Sequence, residues 1–408
     1  MDTKMLFTTA LGLQAPWQVT RLEFDAQAKR LDVRIDFPRG SVFPCPECQQ
    51  LCKVHDAPEH EWRHLNFFEH KAYLRARQPR TTCPEHGVRQ VAVPWARPGS
   101  GFTLLLEAFV LELVRSGMAV RAVARMVGEH DTRIWRVIEH YVAAALARLD
   151  LSALRRVGVD ETSRAKGHSY VTLFVDLATH KVVFIALGKD HTTVEDFHEW
   201  LAKHGGAPSD ISDFSLDMSQ AFIKGIGEQF PGAALTFDKF HVIGLATKAI
   251  EKVRRAEQKD QPALKDTRFL WLKNEGELTT EEKTQFEAAK AVAKKTSRAH
   301  GYKETLRALY KQADRAAGED YLKDWIRSAS RCHLEPIKSV ARTLLEHRDG
   351  VLHWFDSQVT NGILEGLNSL VQAAKRAARG FRNPNYLATL IYLRLGGLDL
   401  KLPRCLPD

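Results

Sequence analysis

The sequence predicts a multidomain α+β protein: a small metal-stapled β module, a helix-turn-helix, an α/β sheet and an all-helical stretch. Three observations carry this. Four of the six cysteines crowd between positions 45 and 83. Apolar residues take helical spacing over residues 102–148, then strand and helix signals alternate over 155–240. Residues 242–355 show no convincing strand and are rich in Lys, Ala, Glu and Leu. At 408 residues the chain is also too long for a single core.

Taken in order, residues 1–39 hold "WQVTRLEFDAQAKRLDVRIDF", which alternates apolar and polar on both sides of a polar middle, as a β-hairpin does. Residues 40–98 hold the cysteine cluster and several short strand-like pieces. Residues 99–150 give three helices, "TLLLEAFVLELVRSG", "AVRAVARMVGEH" and "DTRIWRVIEHYVAAALARL", the last with Asp131 as expected N-cap. Residues 151–241 give three meander strands, "VGVDE", "SYVTLFVDL" and "KVVFIALG". The helix "TVEDFHEWLAKH", the strand "SDFSLDMS", the helix "QAFIKGIGEQF" and the strand "ALTFDKF" follow. Residues 242–351 form the helical stretch, with a capping box at Thr279 and Glu282. Residues 352–398 contain "TNGILEGLNSLVQAAKRAARGF", a helix with Ile363, Leu367, Leu370, Val371 and Ala374 as its apolar face.

Charge narrows the partners. The net charge is +9 and the isoelectric point about 9.2, which favours a polyanion, nucleic acid first, although a merely basic surface fits too. No run of 18 apolar residues exists, so no membrane span is expected. The opening "MDTKMLFTTALGLQAPW" has no small-residue cleavage site after its short apolar stretch, so no signal peptide is expected. The cysteines do not form a disulfide framework, which suggests a reducing compartment and a local metal site.

The metal signal is a repeated knuckle. Cys45-Pro-Glu-Cys48 and Cys83-Pro-Glu-His86 share spacing and filler, and together offer four ligands for one structural Zn²⁺. Cys52 and His55 compete for one ligand position. In the helix-turn-helix, Arg133 and Arg136 lie one turn apart on the recognition helix, with Arg121 and Arg125 on the helix before it. Phosphate or base contact and an ordinary three-helix core with solvated arginines explain this segment equally well.

The carboxylates form the third signal. In "VGVD", "FSLD" and "LTFD" the apolar residues share one face of each strand, which leaves Asp160, Asp217 and Asp238 in the same phase on the other. Ligand sites in α/β sheets lie at strand carboxyl ends. Crowded carboxylates there call for a divalent cation, Mg²⁺ or Mn²⁺ by their oxygen-only chemistry. Asp176 reads instead as a hairpin-turn residue. In "DKFH", Asp238 and His241 are three apart where a strand gives way to a helix, and a capping Asp beside a surface His would look the same.

These residues, in this order, resemble the ISL-three family of bacterial insertion-sequence transposases of the DDE type, over nearly the whole chain. The match is most specific at Thr360, Asn361, Glu365, Gly366, Asn368, Lys375, Arg376 and Gly380. The resemblance implies a ribonuclease H-like catalytic domain (151–241 and 352–398) interrupted by an all-helical insertion (242–351). It also implies a catalytic triad of Asp160, Asp217 and Glu365 that binds two Mg²⁺ or Mn²⁺ ions. Asp238 and His241 match the Asp-x-x-His element of transposases with such inserts. One departure is the zinc ribbon's second pair, Cys-x₂-His where Cys-x₂-Cys is usual; Cys52 therefore stays an alternative.

The activity so implied is metal-dependent phosphoryl transfer on DNA in the bacterial cytoplasm: hydrolysis at the transposon end, then attack of the freed 3′-hydroxyl on target DNA. The ribbon and helix-turn-helix would read the terminal inverted repeats. Asn368 and Gln372 would order water or a phosphate, and Lys375, Arg376 and Arg379 would hold the DNA backbone. Trp271 and Trp325 could stack on an unpaired base or belong to a helical core. A homodimer or larger complex on DNA is a family-level expectation. A DNA-binding regulator without catalysis would not need the acid set. A ribonuclease H-like nuclease would not need the ribbon.

Overall fold

The computed structural model describes residues 2–165, 169–188, 190–273, 275–359 and 362–403. It divides into two compact units, Met1–Leu146 with Leu398–Asp408, and Ala147–Gly397.

The first unit opens with helix α1 (Thr3–Ala10) and strands β1 (Gln18–Asp25) and β2 (Arg30–Asp36), the expected hairpin. Short strands follow: β3 (Val42–Pro44), β4 (Leu51–Asp56), β5 (Glu59–Arg63), β6 (Lys71–Arg77), β7 (Arg80–Cys83) and β8 (Gly87–Gln90). They make two four-stranded sheets, β1-β2-β6-β5 and β3-β4-β7-β8. Alternation along β6 buries Ala72, Leu74 and Ala76. These pack with an aromatic centre in which Trp17 meets Trp95 edge-on at 5.0 Å.

Helices α2 (Leu104–Arg115), α3 (Val120–Val127) and α4 (Asp131–Leu146) complete this unit. Gly128 ends α3 at φ +69°, a left-handed turn that suits glycine. The capping contact of α4 falls one residue earlier than expected. Asp131 is the first helical residue, and the Nδ1 of His130 accepts from the Thr132 N–H at 3.3 Å. Buried Arg63 ties sheet to turn by donating to the Val127 carbonyl at 3.3 Å and pairing with Glu129 at 3.6 Å. Its burial is compensated by these partners.

The second unit is built on strands β9 (Arg156–Ala165), β10 (Ser169–Asp176), β11 (Lys181–Leu187), β12 (Asp213–Leu216) and β13 (Ala234–Phe237). Their order across the sheet is β11-β10-β9-β12-β13. The first three form an antiparallel meander, whereas β12 and β13 run parallel to β9. Asp176 opens the β10–β11 turn as expected, accepting from Ala178 N at 2.9 Å. Helices α5 (Thr192–Lys203) and α6 (Gln220–Gln229) bring Phe197 and Phe222 to the face that carries Val157, Val159 and Phe214.

Between β13 and residue 357 every described segment is helical or irregular. The helices are α7 (Lys239–Glu257), α8 (Arg268–Leu272), α9 (Thr280–Val292), α10 (Lys294–Ala308), α11 (Arg315–Ser330), α12 (Glu335–Glu346), α13 (Arg348–Leu352) and α14 (Trp354–Ser357). The expected division at 241/242 falls inside α7, a single continuous helix. Both hydrogen bonds of the capping box form: Glu282 N donates to Thr279 Oγ1 and Thr279 N to the Glu282 carboxylate. Two buried polar groups of this bundle find partners: Glu257 accepts from Thr296 N at 2.7 Å, and Lys303 donates to the Lys273 carbonyl at 3.0 Å.

Helices α15 (Gly362–Ala377) and α16 (Pro384–Leu395) close the unit. The buried stripe of α15 is Leu364, Leu367, Val371 and Ala374. Leu370, expected on it, is 55% exposed, and Ile363 is half-buried. The spacing of three, four and three that includes Leu364 is the better fit to helical period. Thr360, Asn361 and Cys405 lie outside the described residues.

Candidate catalytic cleft and zinc site

Strand register places the acids. Ser215 of β12 pairs with Gly158 on one side and Thr236 on the other. Two positions further along the same three strands come Asp160, Asp217 and Asp238, on neighbours about 4.8 Å apart. Asp160 is interior to β9 rather than at its end, because β9 runs on to Ala165. Asp217 follows β12 directly and accepts from Ser219 N at 3.0 Å. Asp238, 2% exposed, caps α7 by accepting from Phe240 N at 3.1 Å.

Helix α15 reaches this row because β9 has a glycine beneath it. A Cβ on Gly158 would meet Leu364 Cδ2 at 2.9 Å, so the bare backbone lets α15 lie close. Asn368 on that helix donates from Nδ2 to Asp160 Oδ2 at 2.6 Å. Gln372 donates to Thr162 Oγ1 at 2.6 Å, and Lys375 to the Ser163 carbonyl at 2.7 Å. Asp160, Asp238, His241, Glu365, Asn368 and Arg376 line one cleft of about 680 Å³.

Electrostatics in the cleft resist an ionised Asp160. Burial pushes its carboxyl above the usual carboxylate range, and the charges of Asp217 and Asp238 add to this. The Glu161 N–H and His241 act the other way. A cation removes that penalty. Asn368 Oδ1 is buried and finds no hydrogen-bond partner among the described residues, so one acceptor remains for a water or an ion. The donor set, carboxylates and an amide oxygen, suits a hard divalent cation. The triad does not close completely: among the described residues, no three of these carboxylates come within 4.8 Å of one another.

The other ligand set does close. Cys45, Cys48, Cys83 and His86 offer ligand atoms all within 4.8 Å. Cys48 and Cys83 sulfurs lie 3.6 Å apart, and His86 Nδ1 lies 3.5 Å from Cys83 and 3.9 Å from Cys45. A tetrahedron with Zn–S bonds of about 2.3 Å has edges of about 3.8 Å, so these spacings fit zinc. Burial works against the Cys83 thiolate, but donors from the His86 backbone and ring and from the Glu85 backbone outweigh it, bringing the pKa to about 6. Cys52 lies beside the group, yet its thiol donates to the Gln50 carbonyl at 3.3 Å. His55 is exposed and outside the set.

A family model described as a transposase, of the DDE type and the ISL3 group, matches residues 157–391. The chain belongs to the ISL3 transposase family. The model for the family's helix-turn-helix domain matches residues 91–142. That for the zinc finger of the transposases of IS204, IS1001, IS1096 and IS1165 matches residues 41–86. The transposase for insertion sequence element IS1557 of Mycobacterium tuberculosis is 29% identical, over 99% of this chain and 98% of its own length. The transposase for IS1001 of Bordetella parapertussis is 26% identical, over 95% and 96%.

Within this family member the expected DNA contacts fare unequally. Arg121, Arg125 and Arg136 are exposed. Arg133 is already engaged: it pairs with Glu129, covers the Phe102 ring at 4.1 Å and donates to the Gly101 carbonyl at 3.4 Å. Arg376 and Arg379 are exposed, whereas Lys375 is partly spent on Ser163. Trp271 and Trp325 are 0% and 5% exposed, so the core reading applies to both. Sequence reasoning did not single out Phe240, which lies on the cleft and is 68% exposed. Its one signal was its place within "DKFH", at the second position of a helix that starts beside an acid.

Proposed function

We propose that the chain is the DNA transposase of an insertion sequence. In this reading it binds the terminal inverted repeats through residues 40–98 and 99–150, then cuts and joins strands with Asp160, Asp217 and Glu365. The observation that carries it is the meeting of Asp160 with Asn368, on the helix that bears Glu365, in one cleft with His241 and Arg376. The sheet order and the mixed strand directions support a ribonuclease H-like core (151–241 and 352–398), with 242–351 as a helical insertion.

Divalent cations, Mg²⁺ or Mn²⁺, held between the three acids would acidify the attacking water and neutralise the charge that develops on the leaving oxygen. The chain's own residues do the rest. Asn368 keeps one Asp160 oxygen pinned, and the other faces the Glu161 N–H. His241 offers a proton donor or a phosphate contact from the first turn of α7. Arg376 and Arg379 counter the phosphate backbone. Cys45, Cys48, Cys83 and His86 would hold zinc with no ligand position left for a water, which makes that site structural. One element has two ends, so the reading extends to at least two copies on DNA in the bacterial cytoplasm.

The test is strand transfer with purified protein, Mg²⁺ and labelled duplex carrying the repeats that flank its gene. Asp160→Asn and Glu365→Gln should each lower product by at least about 10³-fold, as removal of a metal-holding acid does, while shifting the same duplex on a gel. Transfer that survives either change overturns the assignment. End binding without any cutting by the unaltered protein points to a regulator.

A further inference from the structure

We propose that Phe240 is the platform on which one unpaired DNA base beside the cut stacks. The inference rests on the cleft being the DNA-cutting site, and adds what that cleft holds besides a phosphate.

The ring is 68% exposed and shares the cleft with Asp160, Glu365 and Arg376. Its chain neighbours Lys239 and His241 are polar, and the His241 ring stands at right angles to it with centroids 6.0 Å apart. The backbone beneath it is fixed, because its N–H donates to buried Asp238 at 3.1 Å and it stands on the first turn of a 19-residue helix. A rigid apolar face in a cleft of acids and cations matches a ligand with phosphates on one side and a flat ring on the other, which is a nucleotide. Bases in a duplex already stack on their neighbours, so the one that reaches Phe240 must have left its stack.

Other aromatic candidates are excluded by position. The Trp271 indole is buried and donates to Thr267 Oγ1 at 3.2 Å. The Trp325 indole donates to the Tyr302 carbonyl at 3.1 Å inside the bundle. Phe269 is 67% exposed, but it is on α8 and not on the cleft.

The experiment measures the cutting rate of the full chain on its own end duplex in Mg²⁺. Phe240→Ala should slow cutting on the order of 10- to 100-fold, the loss of one base–aromatic stack, and Phe240→Trp should restore it to within a few-fold. An abasic residue is then placed in turn at the two nucleotides on either side of the cut. At one position it should slow the unaltered protein about as much as Phe240→Ala does, and slow that variant no further. Equal rates for Phe240→Ala and the unaltered protein overturn the proposal. So do losses that multiply at all four positions. If the unaltered protein itself does not cut, the reading of the cleft fails instead.

Discussion

Asp160 sits where its charge is least welcome, and Asn368 holds it there. The pinned oxygen fixes which lone pairs of the carboxylate remain free to bind, so the amide orients without reacting. Asn368→Ala should therefore lower cutting by about 10- to 100-fold and raise the Mg²⁺ needed for half-maximal rate, the usual cost of losing an outer partner of a metal ligand. A Mg²⁺ titration of single-turnover rates checks this; a lower rate with unchanged Mg²⁺ dependence would argue against an orienting role. At this scale the sequence was legible where a period governs. Alternation by two put Asp160, Asp217 and Asp238 in phase, and Asn368 lies one turn beyond Glu365. It was silent where tertiary neighbours decide: Arg133 looks like a DNA contact until Glu129 and Phe102 occupy it.

Between elements, two contacts govern alignment. The first is α15 on β9 across Gly158. Gly158→Ala drives a methyl against Leu177 and Leu364, each 2.9 Å from the added atom. It should cost about 1–3 kcal/mol in urea unfolding and reduce cutting, while end binding through the other unit stays within two-fold. The second is His64, whose Nδ1 meets Thr103 Oγ1 at 2.9 Å at the cap of α2. Burial, and then the Arg63 charge, bring its pKa down to about 4. The folded state keeps this ring neutral while the unfolded chain protonates it near pH 6.5, so the contribution is intact above 6.5 and drains away as pH falls towards 4. Unaltered protein should lose on the order of 1–3 kcal/mol more than His64→Gln across that window, read by denaturant melts at each pH. Helix and strand types here followed from periodicity. The exact buried stripe of α15 was legible too, in the three, four, three spacing through Leu364, but the equally apolar Leu370 obscured it.

Across the whole molecule, two units of different chemistry share one chain. Net charge favoured a polyanionic partner, and cysteine spacing a local metal site, before any fold was known. The route by which Glu365 joins a cleft begun at Asp160 was hidden, since no local pattern links positions so far apart. Zinc removal separates the units. Cys48→Ser or a chelator should weaken end binding at least about ten-fold if the Cys₃His set holds a structural zinc, since such ribbons fold around their ion. Amide exchange in β9 to β13 should stay slow. Exchange that quickens in both units would argue against a role for the ion confined to the ribbon.

The position of α15 also sets a clock. Glu365 leaves the ribosome 148 positions after Asp217 (217 to 365), and at about 5–20 residues per second that is a wait of roughly 7–30 s. Through that interval the nascent chain already carries its zinc ribbon, its helix-turn-helix and two aspartates. On the proposed reading it would take hold of an end before Glu365 completes the cleft. On that reading a product that stops short of α15 would occupy ends without cutting them.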